Sequence, residues 1–263
     1  MSNRIILFLI FILITVTYGY SSGEVRDLSS IEISAYSGES LQVYLLLTDP
    51  QGNKTGFDSS INDTVRQIPN SGWGVDDFPG IQPTRFVGIG EPKSGIYTLE
   101  VIGINPTTYT VEISIDDIAG NPKTLIFNGV TSSGLISTYT ITYDPTPGFI
   151  PKVERVITIS DTKNDVNISY DLGLIDNPGI RQSLLSKLNA AENAINRGQK
   201  KTANNQLNAF INKVQAQSNK HIKADAAKML IEDAEYLIVT FNAENYLFYT
   251  KLLKSKAVRQ HEV

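Results

Sequence analysis

From Leu172 to Ile238 apolar residues recur at helical spacing in three successive segments. From Ile31 to about Ser169 they alternate in short runs broken by Gly, Pro and Asn. A period of 3.6 buries one stripe of a helix and a period of 2 buries one face of a sheet, so the chain divides into a β part followed by an α part. The charge changes sign near the same place. Residues 1–170 carry 10 Lys/Arg against 18 Asp/Glu, and residues 171–263 carry 13 against 9, which sums to the net −4 of the chain. The boundary falls at Asp144–Pro151, where Pro145, Pro147 and Pro151 exclude a helix or a central strand.

In the β part, Leu41–Leu47 reads as a strand stopped by the turn Asp49-Pro50-Gln51-Gly52. Ile96–Ile102 and Tyr109–Ile115 read as further strands, the second with Tyr109, Val111, Ile113 and Ile115 on one face. Gly120-Asn121-Pro122 turns into Thr124–Phe127, and Gly134 leads into Ile136–Tyr143. Short strands at this spacing imply an antiparallel β-sandwich of jelly-roll or immunoglobulin-like kind, over residues 23–143. Residues 144–171 are expected to be a linker with one further strand over Val153–Ser160.

In the α part, Pro178 suits the first turn of a helix whose stripe is Ile180, Leu184, Leu188, Ala191 and Ile195, ended by Gly198. The next helix runs from about Lys200 to Gln217 over Ala203, Leu207, Phe210, Ile211 and Val214. The third starts near Ala224 and buries Ala227, Leu230, Ile231, Ala234, Leu237 and Ile238. Short loops imply a three-helix up-down-up bundle over residues 172–238. Residues 239–263 form a basic tail, expected to be an extra helix or a frayed end, in which Phe241, Tyr246, Leu247, Tyr249 and Leu253 could pack back on the bundle.

The first 22 residues read as a signal peptide. Arg4 precedes an apolar run from Ile5 to Val16, too short for the roughly 20 residues of a spanning helix. Thr17 and Gly19 suit a cut after Gly19; a cut after Ser22 and an uncleaved anchor are the alternatives. Export directs the protein to the extracellular or periplasmic side. With no cysteine, disulfides, thiolate metal sites, cysteine nucleophiles and lipid attachment at a leader cysteine are excluded.

The segments Gly173-Leu174-Ile175, Ser183–Ala191, Gly198, Asn205–Val214 and Ala226–Ile238 together resemble the FIMAH domain. The resemblance implies an accessory module of secreted bacterial proteins, some of them glycan-degrading enzymes, with a role in protein or glycan interaction and no catalytic residues. Ser94–Val101 followed by Tyr109–Val111 resembles the paired strands of bacterial pre-peptidase C-terminal-type sandwiches, which are also accessory domains.

Candidate site residues lie between Thr48 and Pro79, read as a long irregular connection. Trp73, the single tryptophan, stands between Gly72 and Gly74 and just before Asp76 and Asp77. An indole face can stack on a pyranose while carboxylates accept its hydroxyls; the alternative is that Trp73 plugs an open end of the sandwich. The pairs Asp76-Asp77 and, at a strand end, Asp116-Asp117 could hold Ca²⁺, which takes several oxygen ligands, or could be solvated turn residues. No other cofactor is expected. The two histidines, His221 and His261, lie in no G-x-S-x-G, H-E-x-x-H or phosphate-loop context. The scattered lysines form no nucleic-acid stripe. These features point to a non-enzymatic protein for adhesion or binding at the cell surface, its partner an extracellular glycan or protein. A structural spacer and a small glycosidase or esterase are the rivals.

Overall fold

The computed structural model describes residues 27–38 and 40–242. The signal-peptide reading and most of the tail lie outside the described residues. Eleven strands form two antiparallel sheets. They are β1 (Ser30–Tyr36), β2 (Val43–Thr48), β3 (Lys54–Asp58), β4 (Asp63–Arg66), β5 (Ser71–Asp76), β6 (Thr84–Gly90), β7 (Gly95–Gly103), β8 (Thr107–Asp116), β9 (Pro122–Thr131), β10 (Ile136–Tyr143) and β11 (Lys152–Val156). One sheet has the order β5-β6-β1-β8-β9 and the other β11-β10-β7-β2-β3-β4. Strand alternation turns Ile31, Ile33, Val111, Ile113 and Ile115 of the first sheet toward Leu45, Leu47, Leu99, Val101 and Ile141 of the second, and these make the sandwich core.

Two expectations about the strands need correction. The segment Thr48–Pro79 is not irregular: it holds β3, β4 and β5. Strand β4 buries none of its residues and β5 alternates with glycine, so neither displays a hydrophobic period. The strands Ser94–Val101 and Tyr109–Val111 are not a pair either. Strand β7 is bonded to β2 and β10, β8 to β1 and β9, and the chain crosses between sheets from one to the other.

Four helices follow: α1 (Ile159–Asp171), α2 (Pro178–Asn196), α3 (Lys200–Gln217) and α4 (Ala224–Asn242). The last three start where the sequence places them. Asn177 caps α2, its Oδ1 accepting from the backbone N–H groups of Gly179 and Ile180 at 2.9 and 3.1 Å, with Pro178 in the first turn. Helix α1 is an addition to the expected three. The expected strand ends at Val156, and Thr158 then opens a helix through a capping box: Thr158 Oγ1 accepts from Asp161 N, and Asp161 Oδ2 accepts from Thr158 N, both at 3.0 Å. Helix α1 packs on α2 and α4, and α3 on the same two, so the contacts close into a ring of four. Leu184, Leu188, Leu207, Phe210, Val214, Leu230 and Leu237 fill its centre. Phe241 is buried against this core, in the manner expected of the start of the tail.

The helices are not appended at a distance. Both α1 and α4 pack on β9, and Val130 of β9 and Ile157 belong to the helical core. They cover the side of the sandwich where the edge strands β9 and β11 face one another. The other side, between β5 and the β3–β4 hairpin, carries no helix.

Candidate functional site

Two constellations stand out, one on each side of the sandwich. On the helix-free side, Trp73 lies on β5 opposite Val87 of β6, facing the gap between the sheets. With Tyr44, Phe57, Thr64 and Arg85 it lines a shallow groove. Phe57 stacks on Tyr44 at a centroid distance of 4.0 Å, and the Arg85 guanidinium lies 4.2 Å from the centroid of the same Tyr44 ring. Gly56 makes the close approach possible. Its φ is 120°, and a Cβ there would stand 2.2 Å from the Leu45 carbonyl oxygen, so only glycine lets β3 press against β2 at this point.

Trp73 keeps 41% of its surface exposed, more than a plug sealed among core side chains would keep. Alternation sends Asp76 to the opposite face of β5, and Asp77 is exposed in the following loop. The structure therefore gives Trp73 a cation as its neighbour in the groove. Sequence reasoning missed Arg85 because the partner strand was not identified; the signal was Arg85 at an inward-facing position of an otherwise apolar strand, two residues before Val87.

The Asp116–Asp117 pair separates into two roles. Asp116 Oδ2 accepts from Ser30 Oγ at 2.7 Å. The Asp117 carboxylate accepts from Asn121 Nδ2, from the backbone N–H groups of Ala119 and Asn121, and from Gly148 N. These bonds, led by the Asn121 side chain, hold its pKa below the usual carboxylate range. Asp117 thus ties the β8–β9 turn to the proline-rich connection. Among the described residues no group of three or more His, Cys, Asp or Glu side chains is placed to share a metal.

Glu32, on the open face of the five-stranded sheet between Gly88 and Ser114, has its pKa pushed up to about 7 by burial and by the charge of Asp116. An acid raised in the folded state binds a proton that the unfolded chain has released. Stability therefore falls as pH rises from about 4.5 to about 7 and levels off above. Glu32→Gln is expected to stabilise the protein by on the order of 1–2 kcal/mol above pH 7, partial solvent access trimming the full linkage value, and to change nothing below pH 4.5. Denaturant titrations of the two proteins across that range check it.

The second constellation sits under the helices. Arg155 of β11 donates from Nη1 to both carboxylate oxygens of Asp233 on α4, at 2.9 and 3.2 Å. From Nη2 it donates to Asp165 Oδ2 on α1 at 2.9 Å. Ser137 Oγ accepts a longer bond, and the hydroxyls of Tyr109 and Tyr139 meet at 3.1 Å beside them. Gly129 leaves the space that the Tyr109 ring fills, since a Cβ there would strike the ring at 2.3 Å. Burial would lower the Arg155 pKa, but Asp165 and Asp233 outweigh it and hold the guanidinium charged. Burial raises both acids, Asp233 the further, and Arg155 opposes the rise. Two acids that face one buried guanidinium titrate as a coupled pair.

His221 makes a further titratable pair. Its Nδ1 lies 2.7 Å from Asp176 Oδ1, where the α1–α2 and α3–α4 turns bridge through Asp176 N to His221 O and Lys223 N to Leu174 O. Both side chains are exposed.

An antiparallel sandwich is thus joined through a buried arginine to a ring of four helices. Residues 159–239 match the sequence model of the FIMAH domain. That domain belongs to secreted or surface-associated bacterial proteins. The match begins at α1, so the helical module is longer at its start than the sequence expectation of 172–238. No curated protein matches the chain. Among the described residues no helix is long and apolar enough to cross a membrane.

Proposed function

We propose that this chain is an exported, non-catalytic binding protein that holds an extracellular glycan through the Trp73 groove. The observation that carries the reading is the half-exposed indole beside the Tyr44–Phe57 stack, on the side of the sandwich left open by the helices. Rigid aromatic faces on a sheet bury the apolar face of a sugar ring at little entropic cost. A non-catalytic role is supported by the engagement of the ionisable groups: Asp117 holds a turn, His221 pairs with Asp176 on an exposed turn, and the Arg155 cluster is sealed in the junction.

The test is retention of the purified protein on immobilised cell-wall and host glycans, with calcium and with EDTA. Trp73→Ala is expected to abolish retention while leaving the melting temperature within about 2 °C, because an exposed edge position contributes little to the core. A variant that unfolds would return Trp73 to a structural role. Unchanged retention would remove the groove as the site.

A further inference from the structure

We infer that the groove selects a sugar bearing a carboxylate, with Arg85 as the residue that reads it; the inference rests on the glycan-binding reading of Trp73. Arg85 is the unusual member of the groove. Its Nε is sealed from solvent with no hydrogen-bond acceptor, and among the described residues no carboxylate forms an ion pair with it. Arg155, the other arginine set between the sheets, has two carboxylates. Burial lowers the Arg85 pKa, and the ring it lies over, Tyr44, brings no counter-charge. A half-buried cation without a counter-charge is a cost to the fold, and an anion presented at the groove would relieve it.

The placement suits one hexuronate ring. Trp73 pairs with Val87 and Val75 with Arg85, so Trp73 and Arg85 are diagonal cross-strand neighbours on one face. Such pairs stand roughly 7–8 Å apart at Cα, within reach of a ring on the indole and its carboxylate on the guanidinium. The guanidinium carbon lies 4.2 Å from the Tyr44 ring centroid, and a guanidinium can donate in pairs to a carboxylate. The neighbourhood also limits the ligand. Asp58 is paired with Lys54 and Asp76 faces away, while Asp63 on β4 and Asp77 after β5 are exposed. These two acids disfavour a densely charged polyanion and favour isolated acidic residues on a neutral backbone.

The experiment uses the full chain and two polysaccharides with isolated glucuronic acid, a glucuronoxylan and an arabinogalactan, each intact and after reduction of its carboxyl groups. The expected result is that the intact polymers bind at least about tenfold more tightly than the reduced ones, and that added salt narrows the difference. Arg85→Gln should bring intact and reduced polymers to the same weak affinity, with Arg85→Lys restoring part of the difference. Trp73→Ala should lose all four. Thermal melts of each variant separate lost binding from lost fold. Equal binding of intact and reduced polymers by the native chain would overturn the acidic-sugar inference and leave the glycan reading standing. Binding of none would overturn both, and a preference that survives Arg85→Gln would remove Arg85 as its origin.

Discussion

Replacing Arg155 by alanine is expected to destabilise the protein by about 3–5 kcal/mol at pH 7, the usual consequence of leaving buried charge without its partner. Two carboxylates, on α1 and α4, would then face each other and the Tyr109–Tyr139 hydroxyls with no cation between them. The pH dependence distinguishes this from a simple loss of packing. Asp165 and Asp233 already have raised pKa values, and without the guanidinium they rise further. A raised acid weakens the fold as pH rises through the window between its unfolded and folded values. The gap between variant and parent should therefore be widest at neutral pH and close as pH falls toward about 4. Denaturant melts of both proteins at several pH values would show it, and a gap that stays constant with pH would mean that the acids do not carry the effect. Substituting all three members together by apolar residues of similar volume should recover most of the loss.

The second large effect is expected at Phe210. Its ring is fully buried at the centre of the helical ring, among Leu184, Leu188, Leu207 and Leu230. Phe210→Ala removes the largest side chain there and leaves a cavity that backbone helices cannot collapse, for about 3–5 kcal/mol. The control is Ile126→Ala on the exposed face of β9, which should stay within about 0.5 kcal/mol. Because Val130 and Ile157 join the helical core to the sandwich, Phe210→Ala should shift one cooperative transition seen by both far-ultraviolet ellipticity and tyrosine fluorescence. Two separated transitions would show that the junction does not couple the halves.

The contrast between Phe210 and Arg155 also explains what was readable in the sequence. Phe210 announces itself, since Ala203, Leu207, Phe210, Ile211 and Val214 repeat at helical spacing and nothing else can be done with such a stripe. The clear alternation of β8 and the start of α2 at Pro178 were legible for the same reason. Helix α1 was not, because the face it buries includes Thr162, Asp165 and Ser169, residues that look solvated until their partners are known. Asp233 offered a sharper hint, an acid set between Leu230 and Leu237 on an otherwise apolar stripe, but it named no partner. In the groove, Trp73 drew attention by its rarity and its two glycines, whereas Arg85 depended on the pairing of β5 with β6, a long-range fact that no local pattern encodes. The division of labour within the acidic pair was equally hidden: Asp116 ends β8 and Asp117 opens the turn after it, each with its own hydrogen bonds.

The position of Arg155 relative to the family boundary bears on how this module travels between proteins. Asp165 and Asp233 both fall inside residues 159–239, while Arg155 lies just outside. A fragment cut at the family boundary would carry an acid pair whose cation stayed behind on the host strand. Grafting the helices onto another protein would therefore need β11 to come along, or a host that supplies a basic side chain of its own at the seam. Here the unit that can be transplanted is larger than the unit that sequence similarity outlines.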